Sequence, residues 1–219
     1  MIVLAGDPHG NFPPILRACA ALQPGTLILL GDCDLRVPLR QTLAPLFDDG
    51  WRVHWIIGNK DAETAAAFDN LVSDHPKGDI GGRVIDADGW RIAGLGGVFK
   101  PRIWDPGEDA SPRFSTRRAF LASLPARQHW RGGLPLWHRD SIFPEDFVAL
   151  EQERFDVLVC HEAPSCHRHG FAVIDRLAEA GGARLIVHGH HHESYTASLA
   201  SGIDVRGLAV AEPWIMEWG

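Results

Sequence analysis

Five short apolar runs punctuate the chain, and each ends in glycine or a polar residue: IVLAGD (2–7), TLILLGD (26–32), VHWIIGN (53–59), DVLVCH (156–161) and RLIVHGH (184–190). Runs of this length without alternation predict strands buried on both faces, as in a sheet covered by helices. Between them, PPILRACAAL (13–22) predicts a helix with proline in an allowed first turn and Asn11 as its cap. DAETAAAFDNL (61–71) and GFAVIDRLAEAGG (170–182) show apolar spacing near three to four, and the second closes on glycine. Strand and helix therefore alternate, which predicts an α/β sheet with helices packed on its faces.

Two segments break this rhythm. GRVIDADGWRIAGLGGV (82–98) places Asp-Gly between two strand-like runs, a strong hairpin signal, and TASLASGIDVRGLAV (196–210) reads as another strand pair across Ser-Gly. Part of the sheet structure is therefore expected to be antiparallel. Residues 100–142 follow neither pattern. Seven arginines (102, 113, 117, 118, 127, 131 and 139) accompany Trp104, Trp130 and Trp137 there, and only STRRAFLASL (115–124) resembles a capped helix. A long irregular segment inside a compact domain is often a lid or binding loop. Residues 1–219 are read as a single domain with a cap or lid insert at 100–142; surface packing held by the tryptophans is the competing reading of the insert.

Composition narrows the function classes. No apolar run approaches the ~20 residues that span a bilayer, and MIVLAGDPHG lacks the basic start of a signal peptide. A cytoplasmic location and no membrane partner are the expectation. Cys19, Cys33, Cys160 and Cys166 have no CxxC spacing, which favours reduced thiols. The net charge of −7 disfavours stable nucleic-acid binding, which needs a basic face to displace counterions.

Ligands of α/β proteins bind at strand ends. The five ends here carry Asp7 and His9, Asp32, Asn59, His161, and His190 with His192. Each taken singly is an ordinary turn residue, cap or packed histidine. Together they are a mixed oxygen and imidazole set, suited to divalent transition metals. Seven ligands exceed one ordinary site and suit two ions sharing a bridging carboxylate, the arrangement that activates water and stabilises phosphoryl displacement.

The ordered set D-x-H-G, G-D, G-N-x-D, a strand-ending His and G-H-x-H resembles the calcineurin-like metallophosphoesterase superfamily from Asp7 to His192. That resemblance implies a four-layer αββα sandwich, two mixed β-sheets flanked by helices, and hydrolysis of a phosphodiester or phosphomonoester by metal-bridged hydroxide. It assigns Asp7, His9, Asp32 and His192 to one ion and Asp32, Asn59, His161 and His190 to the other. The cofactors implied are two divalent ions, manganese first, with iron, zinc, nickel or magnesium as alternatives. In VHGHHHES (187–194), Gly189 is expected to turn the backbone tightly, and His191, in an extended segment, to point away from its neighbours. His188 is expected to be structural or an outer partner of the ligands.

The pattern departs from the family at two places. GNKD (58–61) offers Lys60 where a proton-donating His is usual; an ammonium of pKa ~10.4 stabilises charge but donates poorly at neutral pH. Asp61 is expected to orient Lys60 through a salt bridge, and a solvated Lys60 is the alternative. GDCDLR (31–36) lacks the G-D-x-x-D-R-G of protein Ser/Thr phosphatases, which disfavours protein dephosphorylation. CHEAPSCHRHG (160–170) matches no usual zinc spacing. The insert suggests a nucleotide-like substrate, with arginines on phosphates and tryptophans on a base, or a protein interface. A noncatalytic interaction scaffold on the same fold is the competing function.

Overall fold

The computed structural model describes residues 1–108 and 111–216. Residues 109–110 of the insert and 217–219 of the expected domain lie outside the described residues. The elements are β1 (Ile2–Ala5), α1 (Pro13–Ala20), β2 (Thr26–Leu29), α2 (Leu39–Thr42), α3 (Ala44–Asp48), β3 (Arg52–Trp55), α4 (Ala65–Phe68), β4 (Arg83–Ala87), β5 (Trp90–Leu95), α5 (Arg117–Ala122), α6 (Pro144–Glu151), β6 (Val157–Cys160), α7 (Ala172–Gly181), β7 (Leu185–His188), β8 (Tyr195–Ser198), β9 (Asp204–Gly207) and β10 (Pro213–Ile215).

They form two mixed sheets. One runs β10-β1-β2-β3 and the other β4-β5-β6-β7-β9-β8. Within them β1, β2 and β3 are mutually parallel, as are β5, β6, β7 and β9, while β10, β4 and β8 pair antiparallel at the edges.

The layering follows from the two-residue period of a strand. In β1, Ile2 and Leu4 join Ile28, Leu30, Ile92, Val157, Val159 and Val187 in the apolar layer between the sheets. Val3 and Ala5 turn the other way, against Ile15 and Cys19 of α1 and Leu39, Leu43 and Leu46 around α2 and α3. On the second sheet, Leu158, Cys160 and Ile186 face Phe147 and Leu150 of α6 and Ile174 and Leu177 of α7. The expected four-layer αββα sandwich is the fold. Unbroken apolar runs are what strands buried on both faces require, each such Leu or Ile contributing ~1.5–3 kcal/mol.

Local signals held in several places. Asp88 and Gly89, with φ of 48° and 86°, make the two-residue turn between β4 and β5. Gly182, at φ 80°, closes α7.

Two helix expectations are corrected. Asn11 does not cap α1: Phe12 occupies that position without a side-chain acceptor, and the Asn11 main-chain N–H donates to Pro8 O at 2.7 Å. Residues 61–71 do not form one helix. They divide into a 3₁₀ turn (Lys60–Ala62), α4 and a π turn (Asp69–Ser73), because Thr64 restarts the helix by accepting from Ala67 N–H at 3.1 Å.

The insert carries its own small core of Ile103, Phe120, Leu124 and Leu134, with Phe143 from the segment that follows. All four cysteines are free, and only Cys166 is exposed. No helix among the described residues is long and apolar enough to cross a membrane.

Candidate metal centre

The parallel strands deliver the seven predicted residues to one end of the sandwich. Asp7 and His9 follow β1, Asp32 follows β2, Asn59 follows β3, His161 directly follows β6, and His190 and His192 follow β7. The backbone at these positions is strained. Asp7, His9, Asp32, His190 and His192 all have positive φ, between 24° and 68°, a region costly for residues with a Cβ. Such strain persists where surrounding structure over-determines it, commonly at functional sites. The expectation of an extended backbone across His190–His192 is therefore corrected.

Two groups of ligand atoms emerge, His9, Asp32 and His192 in one and Asp32, His161 and His190 in the other. Asp32 belongs to both. Its Oδ2 lies 3.8 Å from His9 Nε2, while its Oδ1 lies 3.5 Å from His161 Nε2. His9 Nε2 and His192 Nε2 are 3.0 Å apart. Two imidazoles held at right angles on one ion, with bonds of ~2.0–2.1 Å, would be separated by about that distance. Asn59 Oδ1 sits 3.2 Å from His161 Nε2, which brings the amide into the second group.

Hydrogen bonds fix the proton positions. His161 Nδ1 lies 2.7 Å from Leu30 O; since a carbonyl only accepts, Nδ1 carries the proton and Nε2 keeps its lone pair toward Asp32 and Asn59. His188, the last residue of β7, is used up internally: Nδ1 donates to Gly189 O at 2.9 Å, so Nε2 accepts from Tyr195 OH at 2.7 Å. It is a structural residue.

Asp7 is fully buried. Its Oδ2 accepts the His190 main-chain N–H at 2.7 Å, while its Oδ1 has no hydrogen-bond partner. Burial, and then the neighbouring Asp32, push its carboxyl up to about 8. Burial raises Asp32 as well, and it lowers His161 and His190 to about 4, leaving both imidazoles neutral. A buried carboxylate oxygen with no hydrogen bond, 3.5 Å from the neutral His161 ring, fits divalent cations: a cation there would offset the charge that burial disfavours.

Glycines precede four of the seven residues, and at three of them, Gly31, Gly58 and Gly189, other residues of the centre occupy the space of a side chain. A Cβ on Gly31 would lie 2.6 Å from His161 Nδ1, and one on Gly189 would lie 2.7 Å from both Asp7 carboxylate oxygens. Gly31 also adopts φ 95°. The expected tight turn forms here: Gly189 C=O accepts the His191 main-chain N–H at 2.8 Å, with the positive φ carried by His190, and the missing Cβ of Gly189 lets it approach Asp7 closely. A Cβ on Gly58 would collide with Asp32.

Lys60 and Asp61 are placed otherwise than expected. Lys60 Nζ pairs with Glu63 at 2.6 Å on the surface, not with Asp61. Asp61 is buried and accepts main-chain N–H groups of Cys33 and Gly58, each at 2.8 Å. It ties the loop after β2 to the loop after β3. Lys60 reaches the centre through its backbone, whose N–H donates to Asp32 Oδ1 at 2.7 Å.

Glu162 and His191 were not foreseen. Their ligand atoms gather with that of His190 in a third group. Glu162 directly follows a strand-ending His but belongs to no recognisable spacing.

The sequence also predicts insert arginines free for phosphates, yet several are engaged within the chain. Arg117 pairs with Glu145 and Asp146, Arg131 with Asp69, and Arg139 donates to Leu134 O and Trp130 O. Trp104 packs on Phe99 and Trp130 on Phe68, whereas Trp137 is 59% exposed. A cavity of about 390 Å³, lined by Ile57, Phe68, Gly96, Leu134 and Arg139 among others, lies where the insert meets the two sheets.

Residues 1–194 match the family described as calcineurin-like phosphoesterase. The chain belongs to that family. It is 43% identical over 218 residues to an uncharacterized protein of Haemophilus influenzae, covering 97% of this chain and 94% of that one. Among solved structures, a phosphopantetheinyl hydrolase from Mycobacterium tuberculosis aligns with a TM-score of 0.53 at 17% identity, over 96% of this chain and 89% of its own. Another aligns at 0.55 and 14% identity, over 95% and 90%. At these identities the structural likeness speaks for the fold alone. Family membership and the ligand groups together support a metal-dependent phosphoesterase.

Proposed function

We propose that this calcineurin-like phosphoesterase is dinuclear and hydrolyses a phosphate mono- or diester. Asp7, His9, Asp32 and His192 would hold one ion, and Asp32, Asn59, His161 and His190 the other. The observation that carries this reading is the division of Asp32, one carboxylate oxygen toward His9 and the other toward His161. Two divalent ions there, with manganese expected first, supply an activated water and neutralise charge on the phosphoryl oxygens.

The chain's own groups prepare that chemistry. Leu30 O holds the His161 tautomer, the Lys60 backbone fixes Asp32, and Asp61 clamps the two loops that carry Asp32 and Asn59. The Lys60 ammonium, released from its exposed pair with Glu63, would attend the departing oxygen as a cation. Even free of Glu63, an ammonium of pKa ~10.4 suits charge stabilisation rather than proton donation at neutral pH.

Residues 100–142 would cap the site as part of a single domain: their 3₁₀ segment Leu136–His138 touches the Lys60–Ala62 turn. Exposed Trp137 in that segment supports a nucleotide-like substrate whose base stacks on it. A cytoplasmic location accompanies this reading.

The test is manganese-dependent hydrolysis of bis(4-nitrophenyl) phosphate and 4-nitrophenyl phosphate by metal-stripped protein, with Asp32→Asn as control. Turnover that needs metal and disappears in Asp32→Asn supports the hydrolase. Metal bound without turnover of either ester favours the interaction scaffold, a reading to which the surface pairing of Lys60 lends support.

A further inference from the structure

Beyond the two groups assigned to the dinuclear centre, a buried carboxylate and two imidazoles meet on its outer side. Glu162 is 5% exposed. Its Oε1 accepts the Phe99 main-chain N–H at 3.0 Å, and its Oε2 approaches His190 Nε2 at 3.9 Å. Among the described residues no lysine or arginine pairs with it. His191 lies with its ring centroid 4.8 Å from that of His190, and its Nε2 is buried without a hydrogen-bond partner. One ligand atom from each of Glu162, His190 and His191 lies within 4.8 Å of the others.

A buried carboxylate without a counter-charge, facing imidazoles with unused nitrogens, is an arrangement that a cation would stabilise. The surroundings give an ion access. His191 stacks on His167 with centroids 4.0 Å apart, and His167 lines an open surface cavity of about 220 Å³ together with Glu193 and Tyr195. His167 Nε2 is likewise buried and without a hydrogen bond, 3.7 Å from Glu193 Oε2.

We propose that Glu162 and His191, sharing His190 with the dinuclear centre, form a third position for a divalent transition-metal ion. The inference rests on the dinuclear reading for the other partner of His190. A neutral imidazole offers one lone pair, so serving both ions requires His190 to release its remaining ring proton to solvent and bridge as an imidazolate; the third ion therefore binds last and most weakly, with water completing its coordination.

Equilibrium dialysis of the metal-stripped protein against increasing manganese, with bound metal counted by mass spectrometry, tests this. The wild type is expected to reach one equivalent more than Glu162→Gln and His191→Ala. Gln keeps an oxygen for the Phe99 N–H, and His191 is only half-buried, so at least one variant is expected to retain the wild-type circular dichroism. Equal stoichiometry in all three proteins overturns the third position. Weakened binding of an ion in Glu162→Gln without loss of an equivalent also overturns it, and makes Glu162 an orienting partner of His190. Asp32→Asn separates the two readings: an unchanged ion count there rejects the dinuclear centre, while the comparison of wild type with Glu162→Gln still judges the third position.

Discussion

The main-chain N–H of Lys60 donates to Asp32 Oδ1 at 2.7 Å, so the residue after Asn59 holds the shared carboxylate with its backbone whatever its side chain does. This separates two roles that the motif GNKD joins. The Lys60→Ala variant keeps that hydrogen bond and is expected to bind metal as the wild type does. Its activity is expected to fall with the leaving group: less than about threefold for nitrophenyl esters, and about tenfold or more for alkyl esters, whose oxygen needs a nearby cation. The check is kcat against leaving-group pKa for both proteins. Parallel lines would remove Lys60 from the chemistry.

Asp61 supports the centre from beneath. Replacing it with alanine leaves the buried Cys33 and Gly58 N–H groups without acceptors. At ~1–3 kcal/mol for each of the two orphaned buried groups, a loss of about 2–6 kcal/mol is expected in urea unfolding of the metal-free protein. Metal affinity is expected to fall with it, since both loops carry proposed ligands, Asp32 and Asn59. An Asp61→Ala protein as stable as the wild type would refute the clamp.

What could be read from the sequence divides along physical lines. The strands were legible because burial on both faces leaves an unbroken apolar run, and the gathering of the seven residues at one end because each follows its strand within a few residues. Their backbone conformation was not. The positive φ of His190 and His192 arises from contacts with distant segments, such as the His190 N–H bond to Asp7, and no local residue signals it. Residues 61–71 differ, because the break there has a local cause, Thr64 capping α4, which helical spacing alone does not reveal. Glu162 was missed because a carboxylate next to a strand-ending His is locally unremarkable; what sets it apart is burial with no lysine or arginine pairing with it among the described residues.

Gly189 tests the claim that some motif glycines are spacers. Its backbone lies outside the left-handed region, so alanine is conformationally tolerated, but the added Cβ would sit 2.7 Å from both oxygens of Asp7. Gly189→Ala is expected to fold with a far-ultraviolet spectrum like that of the wild type and to lose metal affinity by about 100-fold, at the upper end of what displaced outer partners cost, because a ligand itself is moved. Wild-type affinity, measured by competition with a chromophoric chelator, would show that Asp7 is not a ligand or that it adjusts freely.

The buried carboxylates give the metal-free protein an unusual pH dependence. Burial raises Asp7 to about 8, and Asp61 and Glu162 to about 7, all above their values in an unfolded chain. Groups raised in this way hold protons in the native state that the unfolded chain has released, so they favour folding at low pH and lose that contribution as pH rises through the native pKa. The buried histidines act oppositely: His138, His161, His188 and His190, lowered to about 4, and His191, lowered to about 3, are neutral in the native state, while in the unfolded chain histidine is still partly protonated near pH 7 and nearly deprotonated by about pH 7.5–8. Between about pH 7.5 and 8.5 the carboxylates decide the sign, and the metal-free protein should melt at lower temperature as pH rises. Bound cations favour the ionised Asp7, so the metal-loaded protein should show the reverse, with affinity rising up to about tenfold per pH unit until Asp7 is ionised. Thermal melts at several pH values, with chelator and with manganese, check both slopes. Parallel slopes would mean that Asp7 does not exchange a proton for the metal.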